Sequence, residues 1–342
     1  HTLSAPLTCA ALVLARGLAS YLDSFPHKCT EQLLSAAMPA MVFDKRPEFG
    51  KIIVRGEEAR TPAEAFKVIV AVLRSRQNAE GGFGLWGATP DAARYVSVYA
   101  TLFLLEAKER GFVVPQDLLD RANNYVTQLA ADESDGSLEG LRERAFAVYV
   151  LTRQGKVTTG PLATLRQRLD ERFADKWKKD IAASYIAATL QLLKEDKEAA
   201  KLIAGPESLL TRTAEESGWH YARYHDPLIR DTGTLYLVAR HFPERAKALP
   251  PQALANIVRA LQKGWFNTLS SATTILALDT YATSVGNLGG DNLALAEIAA
   301  DGAAKAFGKA EGLVMRGTFT GAAAGISVTN KVDINAWYSV AQ

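Results

Sequence analysis

The sequence predicts a mostly α-helical protein, built as a closed ring of helical hairpins with a short β segment at its C-terminal end. Apolar residues recur at helical spacing through residues 62–284, where strand patterns are nearly absent. A turn that combines glycine with an aromatic or apolar residue returns at intervals of one helical hairpin. After Ser284, glycines and short alternating stretches replace the helical pattern.

The N-terminal part contains helical patterns separated by a polar connector at 44–61. Thr61 is suited to the N-cap of a helix and Pro62 to its first position. Within the connector, Lys51 to Arg55 could form a short extended piece. The predicted helices are Leu7 to Phe25, Cys29 to Met41 with an interruption at Pro39, and Ala63 to Arg76.

Four glycine-containing turns each precede an apolar helix, and we expect the helices that follow them to form the inner ring, with amphipathic helices outside. The turns are Gln77 to Trp86, Asp135 to Leu138, Ser217 to Trp219 and Gln262 to Phe266. The helices after them are Asp91 to Arg110, Leu141 to Arg153, Ile229 to His241 and Ser270 to Thr283. Further helical runs are Gln116 to Ala130, Leu162 to Phe173, Ile181 to Leu193, Glu207 to Glu215 and Gln252 to Leu261.

Composition narrows the possible functions. The chain has 342 residues, 48% of them hydrophobic, and its 39 basic residues nearly balance 37 acidic ones. There is no global positive field that would attract nucleic acid. Two cysteines do not make a disulfide framework, and residues 6–25 carry charges that make them a poor membrane span. We therefore expect a chain without a transmembrane helix, and no cofactor is implied.

The chemistry of the chain is concentrated in the segment Phe25-Pro26-His27-Lys28-Cys29-Thr30-Glu31-Gln32. Pro26 ends the preceding helical pattern, and a new apolar run begins after Gln32, so Cys29 to Gln32 should form a bend that opens a helix. On a tight bend the Cys29 thiol can attack the Gln32 side-chain amide and expel ammonia, leaving an internal thioester. Free backbone N–H groups at a helix start can polarise an acyl carbonyl or lower a thiol pKa.

A second interpretation of Cys29 is a buried cysteine that serves as a small apolar residue. The sequence offers no comparable chemistry elsewhere. Cys9 is the only other cysteine, no grouping of His, Asp and Ser accompanies it, and its role stays open.

Cys29-Thr30-Glu31-Gln32 matches the C-x-E-Q motif of the α2-macroglobulin and complement family, and with Pro26 it resembles most the bacterial α2-macroglobulins. The resemblance covers residues 5–284 well and implies an α/α toroid inserted into a small CUB-type β-sandwich. Residues 1–284 are then the toroid, and 285–342 are part of the CUB-like domain, with Trp337 to Val340 as a closing strand. Little or nothing of that domain's first part is expected before Leu7.

The same resemblance implies a protease-trapping inhibitor rather than an enzyme. A bait segment outside this chain is cut by a protease, the thioester becomes exposed, and the Gln32 carbonyl acylates a lysine of that protease. The implied partners are target proteases, other domains of the same polypeptide and, for some members, a peptidoglycan synthase. The implied location is the periplasm, for some members with a lipid anchor.

A thioester must be kept dry until it is needed, and the resemblance places shielding aromatics at Phe83 and Trp86. Ordinary core packing is the alternative role for both side chains. Some complement proteins transfer the acyl group through a histidine, but residues 133–141 contain none here. We therefore expect direct attack by amines. His27 is interpreted as a packing or shielding residue, and the remaining predicted surface or loop histidines are His220, His225 and His241.

Two other functions remain open. An α/α-toroid enzyme of the terpenoid cyclase or prenyltransferase type would need an Asp-rich motif or a zinc set in the central cavity, and no D-x-D-D motif or later cysteine occurs. A helical scaffold that has lost its thioester would keep the motif without the bond, since bond formation depends on the geometry of the bend.

Overall fold

The computed structural model describes residues 2–8, 13–46, 61–213, 222–286, 289–320, 323–331 and 337–338. The helices are α1 (Val13–Ser24), α2 (Thr30–Phe43), α3 (Pro62–Arg76), α4 (Arg94–Glu109), α5 (Gln116–Ala131), α6 (Leu138–Arg153), α7 (Thr159–Phe173), α8 (Ile181–Leu192), α9 (Asp196–Leu210), α10 (Pro227–His241), α11 (Pro243–Lys247), α12 (Gln252–Gln262) and α13 (Thr268–Val285). The strands are β1 (Thr2–Thr8), β2 (Leu293–Ile298), β3 (Ala304–Phe307), β4 (Lys309–Glu311), β5 (Val314–Thr320), β6 (Gly325–Asn330) and β7 (Trp337–Tyr338). The predicted turn Ser217 to Trp219 and the extended piece Lys51 to Arg55 lie outside these residues.

Six of the described helices form a closed inner ring. In the order α2, α4, α6, α8, α10 and α13 each packs against the next, and α13 closes against α2. Helices α1, α3, α5, α7, α9 and α12 pack outside them. Helices α2 and α13 run in the same direction, since Glu31 contacts Thr268 where both begin and Arg46 contacts Thr283 where both end. The chain is an α/α toroid followed by a β segment, as the sequence predicts.

Inner and outer helices differ in burial as expected. Every residue from Tyr95 to Ala107 in α4 is buried. In the outer helix α7 the buried residues are Leu162, Leu165 and Leu169, which lie three and four positions apart and form a single stripe. Burial on all sides therefore identifies an inner helix in this ring.

The inner ring also contains α2 and α8, which the rule based on glycine-containing turns left out. Helix α8 buries Ile181 to Ser184 and Ile186 to Leu190, so it is covered on all sides. It follows a 3-10 helix at Ala174–Lys179, in which buried Trp177 donates its indole N–H to Asp170 at 2.8 Å. A tryptophan without a glycine performs the same connecting role here.

Several predicted helix limits are wrong. Helix α2 continues through Pro39, and α9 runs through Pro206 from Asp196 to Leu210, where the sequence predicted Glu207 to Glu215. A proline inside a helix removes one N–H donor. Both prolines are buried against neighbouring helices, and this packing offsets the missing bond.

The N-terminal residues belong to the β segment. Strand β1 pairs antiparallel with β5 from Thr2 opposite Thr320 to Thr8 opposite Val314. The prediction of a helix from Leu7 is therefore wrong, since Leu7 and Thr8 lie in β1 and α1 begins at Val13. Before Leu7, where little or nothing of the β domain was expected, the chain supplies most of this one strand. Helical spacing of apolar residues did not reveal a strand whose partner lies some three hundred positions away.

The described strands form two sheets, ordered β4-β5-β1-β7 and β3-β2-β6. Strands β2 and β3 pack against β5, with Leu293, Leu295, Val314 and Met315 buried. Strand β7 pairs with Leu7 and Thr8 of β1 at the sheet edge, where the sequence predicted a closing strand. The C-terminal β segment is thus confirmed.

Buried ion pairs join the C-terminal ends of the inner helices. Glu106 of α4 accepts hydrogen bonds from Arg153 of α6 at 2.6 Å and from Tyr236 of α10 at 2.5 Å. Arg110 and Arg46 both contact Asp279 of α13, at 3.0 and 2.9 Å. Cations at helix C-termini also interact favourably with the helix dipoles. These contacts hold the rim opposite the bend at Cys29.

Candidate functional site

The candidate site lies on the bend between α1 and α2. Helix α1 ends at Ser24, and Pro26 prevents it from continuing. Cys29 is the N-cap of α2, with extended backbone angles of φ −64° and ψ 169°. Its carbonyl accepts the first intrahelical bond, from Leu33 at 2.9 Å. The predicted bend that opens a helix is confirmed.

The side chains of Cys29 and Gln32 fold towards each other on the first turn of α2. The Gln32 side-chain oxygen Oε1 accepts a hydrogen bond from the Cys29 backbone N–H at 3.0 Å. The Cys29 side chain in turn accepts from the Gln32 backbone N–H, which makes a capping box of cysteine and glutamine. Both residues are half-buried. The thiol and the side-chain carbonyl therefore share one helix terminus.

Thr30 fixes this terminus to the turn that follows α3. Its backbone N–H donates to Leu85 O at 2.8 Å, and its hydroxyl donates to Gly84 O at 2.5 Å. Hydrogen bonds close this turn: Asn78 N–H donates to Gly82 O, and Gly82 N–H donates to Asn78 Oδ1, both at 2.9 Å. Gly81 has a φ of +95°, and a Cβ there would lie 1.9 Å from the Arg121 carbonyl oxygen. A fixed turn thus supports the reactive bend.

Arg76, the last residue of α3, connects the bend and the turn. Its Nη1 donates to Thr30 Oγ1 at 3.1 Å and to Leu85 O at 3.0 Å, and its Nη2 donates to Lys28 O at 3.0 Å. The guanidinium therefore contacts the residues on both sides of Cys29.

Glu31 of the motif points into the ring and is buried. Its carboxylate accepts from Ser35 Oγ at 2.7 Å and from Thr268 Oγ1 at 3.0 Å, and Ser35 also contacts the Tyr99 hydroxyl at 3.2 Å. Burial raises the pKa of Glu31, and the hydrogen bonds from Ser35 and Thr268 oppose this rise. Through this carboxyl group the start of α2 is joined to α4 and α13.

Burial also raises the pKa of the Cys29 thiol, and the Glu31 carboxylate adds to the effect. The backbone N–H groups of Gln32 and Glu31 and the Arg76 guanidinium act in the opposite direction. The helix start alone therefore does not produce a reactive thiolate, and burial outweighs it.

The structure places the two predicted shielding aromatics differently. Phe83 is fully buried, and its backbone N–H donates to Ser97 Oγ at 2.8 Å. Trp86 is 65% exposed. The contact between their turn and the reactive bend is made by the carbonyls of Gly84 and Leu85. Shielding by these two side chains stays a prediction.

Comparison with known proteins identifies the family. The chain is 39% identical over 335 residues, 97% of its length, to an alpha-2-macroglobulin homologue of Yersinia pestis, and 36% identical over 82% of its length to the alpha-2-macroglobulin of Pasteurella multocida. The chain belongs to the alpha-2-macroglobulin family. It spans 16% and 15% of these two relatives, so the activities and partners of the whole proteins are proposals for it.

Solved structures of bacterial alpha-2-macroglobulins have the same fold. The chain matches the native Escherichia coli protein from its MG7 domain to the C-terminus with a TM-score of 0.69, covering 99% of this chain and 52% of that one. It matches the Salmonella protein reacted with methylamine with a TM-score of 0.70, covering 99% of this chain and 21% of that one. Both are 19% identical in sequence. No general protein-family model matches the chain.

Of the histidines interpreted as surface or loop residues, His225 lies in the turn before α10, whereas His241 is the last residue of α10, and both are half-buried. His241 bonds the Tyr149 hydroxyl at 2.9 Å, and burial together with Arg240 lowers its pKa to about 3. His225 packs edge-on against Tyr95, and burial lowers its pKa to about 4. His27 is exposed and contacts Phe25 at a ring distance of 5.8 Å. His220 lies outside the described residues.

The interior of the ring bears on the rival enzyme hypothesis. Aromatic rings pack between the inner helices, with Phe146 stacked on Tyr185 at 4.7 Å and Tyr95 on Tyr224 at 4.4 Å. Tyr95 is buried, and Tyr185 is partly buried against the same core. A toroid enzyme of the terpenoid cyclase or prenyltransferase type would need an Asp-rich motif or a zinc set in the ring interior. Within the described part of the chain, no group of three or more His, Cys, Asp or Glu residues could hold a metal ion, and no helix could span a membrane.

Sequence reasoning missed Arg76 and Thr268 as parts of the site. Arg76 is the last residue of a predicted helix, where basic residues are common. The only signal in the sequence was its position directly before the 77–86 turn. Thr268 lies 237 positions from Glu31, and the sequence gives no signal for that contact.

Proposed function

We propose that Cys29 and Gln32 form an internal thioester and that this chain is the thioester-bearing part of a protease-trapping inhibitor. The observation that carries the proposal is the hydrogen bond from Cys29 N–H to Gln32 Oε1 at 3.0 Å. It holds the amide carbonyl of Gln32 on the same helix turn as the thiol. Glutamine commonly caps a helix in this way, but here the N-cap residue is a cysteine, so a thiol and an amide carbonyl share the turn.

The same bond suits both steps of the chemistry. In thioester formation the Cys29 sulfur bonds to Gln32 Cδ, and the side-chain nitrogen leaves as ammonia. In the later step an amine nitrogen bonds to Cδ and the sulfur departs. Negative charge develops on Oε1 in both steps, and a backbone N–H aimed at that oxygen stabilises it.

The relatives support a protease target. Structures of the Escherichia coli alpha-2-macroglobulin include one activated by porcine elastase and one activated by trypsin. We propose that a protease cuts a bait segment elsewhere in the polypeptide and that Gln32 then acylates a lysine of that protease. The chain is used once and is not an enzyme. A periplasmic location, a lipid anchor and association with a peptidoglycan synthase belong to the same proposal and rest on family resemblance alone.

Intact mass spectrometry of the full-length protein tests the thioester. We expect the native protein to be one ammonia lighter than its sequence, and methylamine treatment to add one methylamine and release one thiol. Cys29→Ala is the matched control and should show neither change. A native protein with the full sequence mass and a freely alkylated Cys29 would contradict the proposal.

The nucleophile preference is a separate prediction. We expect direct attack, since residues 133–141 contain no histidine that could relay the acyl group and amines are better direct nucleophiles than hydroxyls near neutral pH. Labelled methylamine should therefore be incorporated much faster than labelled glycerol at equal concentration. Efficient glycerol transfer that disappears in His27→Ala would instead assign a relay to the exposed His27.

A further inference from the structure

The guanidinium of Arg76 is held in an unusual way. Its three hydrogen-bond acceptors are the neutral oxygens Lys28 O, Thr30 Oγ1 and Leu85 O. Among the described residues no carboxylate lies within ion-pair distance of it, and the charged group that acts on it is Cys29. Arg74, two positions earlier on α3, instead makes a two-pronged pair with Asp117 at 2.6 and 2.7 Å.

A half-buried cation without an anion is costly, since burial disfavours its charged form. Burial does lower the pKa of Arg76, and a negative charge on Cys29 counteracts this. The cost is offset when the sulfur becomes a thiolate. Because Lys28 and Thr30 flank Cys29 in the chain, the two bonds to them also fix the backbone from which the sulfur projects.

We propose that Arg76 is a positioning residue that holds the Cys29 bend against the 77–86 turn and stabilises the negative charge on the departing sulfur. This inference rests on the proposed thioester. When an amine attacks, its nitrogen bonds to Gln32 Cδ, the Cδ–S bond breaks with both electrons passing to sulfur, and the proton released by nitrogen passes to solvent. The thiolate then lies beside a guanidinium that has no other counter-charge in the described structure.

Arginine suits this position better than lysine. Its planar fork presents several donors, so that one side chain can bond Lys28 O through Nη2 while Nη1 serves Thr30 and Leu85. A lysine would supply the charge from a single nitrogen and could not span the three acceptors in the same way. The two effects, charge and span, can therefore be separated by substitution.

The test compares full-length Arg76→Gln and Arg76→Lys with Arg74→Gln as the matched control on the same helix. For Arg76→Gln we expect less thioester by intact mass and a methylamine rate about tenfold lower, equivalent to about 1.4 kcal/mol in the barrier. The thiol freed by methylamine should titrate at a higher pH than in the wild type, measured from the pH dependence of its alkylation. Arg74→Gln should match the wild type in all three measurements.

Arg76→Lys separates the two parts of the role. It should keep the thiol titration near that of the wild type while lowering the thioester fraction. If Arg76→Gln does not fold, Arg76→Lys still tests the inference through these two measurements. Glu31 and Tyr224 also act on the thiol electrostatically, and both are unchanged in these variants. An Arg76→Gln protein with wild-type methylamine rate and thiol titration would overturn the inference. Absence of a thioester in the wild type would refute the proposed function, whereas the thiol titration would still test Arg76.

Discussion

At the scale of single residues, the four side chains of the motif point in different directions. Cys29 and Gln32 face each other across the N-cap, whereas Thr30 and Glu31 point to the turn and to the ring interior. In the proposed reaction Cys29 and Gln32 carry the chemistry, and Thr30 and Glu31 between them anchor the helix start. This explains why a four-residue stretch requires contacts from α3, α4 and α13.

Glu31 gives a prediction about pH. Its pKa is raised in the folded protein by burial, so the stability it contributes is fully present below the unfolded value of about 4.3 and is lost as the pH rises through the folded value. Replacement by glutamine removes this dependence. We therefore expect Glu31→Gln to gain stability relative to the wild type as the pH rises from 4 to 7.

Denaturant unfolding at both pH values measures this difference. Glu139→Gln, on the exposed start of α6, is the control and should show little change with pH. If instead the penalty of Glu31→Gln grew towards neutral pH, the ionised carboxylate would be the stabilising form, held by Ser35 and Thr268 more strongly than burial disfavours it.

At the scale of elements, local signals gave correct answers where local chemistry decides the structure. The Thr61 N-cap and Pro62 predicted the start of α3, and the structure adds a capping bond from Thr61 N–H to Glu64 at 2.8 Å. The bend at Cys29 followed in the same way from Pro26 and the apolar run. These features depend on interactions within four residues, which a single sequence contains.

Elements that depend on distant partners could not be predicted. Strand β1 is fixed by pairing with β5, and α9 continues through Pro206 because tertiary packing overrides local propensity. Membership of α8 in the inner ring was visible in its small and apolar residues, but the rule based on glycine-containing turns excluded it. The role of Arg76 could not be predicted either, because it depends on the 77–86 turn lying next to the Cys29 bend in three dimensions.

The turn after α3 gives a prediction at this scale. In Gly81→Ala the added Cβ would meet the Arg121 carbonyl oxygen at 1.9 Å while φ stays positive at +95°. We expect a loss of about 2 kcal/mol or more in stability, because alanine is strained at a positive φ and its Cβ would push the Arg121 carbonyl away. Because Leu85 O accepts from Thr30 and Arg76, the thioester fraction should also fall.

Gly111→Ala is the matched control, since Gly111 has a similar φ of +92° and nothing within 4 Å of an added Cβ. It should show the backbone strain of a positive φ without any displacement of a neighbouring backbone group. Thermal unfolding and intact mass of both variants check the prediction. Equal effects in the two variants would mean that the close approach at Gly81 does not support the site.

At the scale of the whole molecule, the buried contacts of Glu106 join α4, α6 and α10 at the rim of the toroid opposite the Cys29 bend. Burial opposes ionisation of Glu106, but Arg153, Arg240 and Arg110 together lower its pKa to about 2. Its stabilising effect is therefore present above the unfolded pKa of about 4.3 and is lost as the pH falls through about 2. The ring should be least stable in strong acid.

Glu106→Gln tests this rim. Removing one member of a buried ion pair leaves the remaining charges uncompensated, so we expect a loss of about 3–5 kcal/mol at pH 7 that shrinks as the pH approaches 2. The exposed pair of Arg166 and Glu198, 3.5 Å apart, provides the control, because Glu198→Gln should cost no more than about 1 kcal/mol. A small or pH-independent effect at Glu106 would show that packing alone closes the ring.

The chain connects the toroid to the β segment at both ends of the toroid, since β1 precedes α1 and β2 follows α13. Strand β1 precedes α1 in the chain yet lies between β5 and β7 in the sheet, so removal of residues 1–8 would leave the edges of both strands without their partner. A chain lacking those residues should keep the helical circular dichroism of the toroid. The region 289–331 should be cleaved much faster by a protease than in a control lacking only residue 1. If that region stays protected, the two sheets hold together without β1, and the pairing from Thr2 to Thr8 is not needed for the β segment to fold.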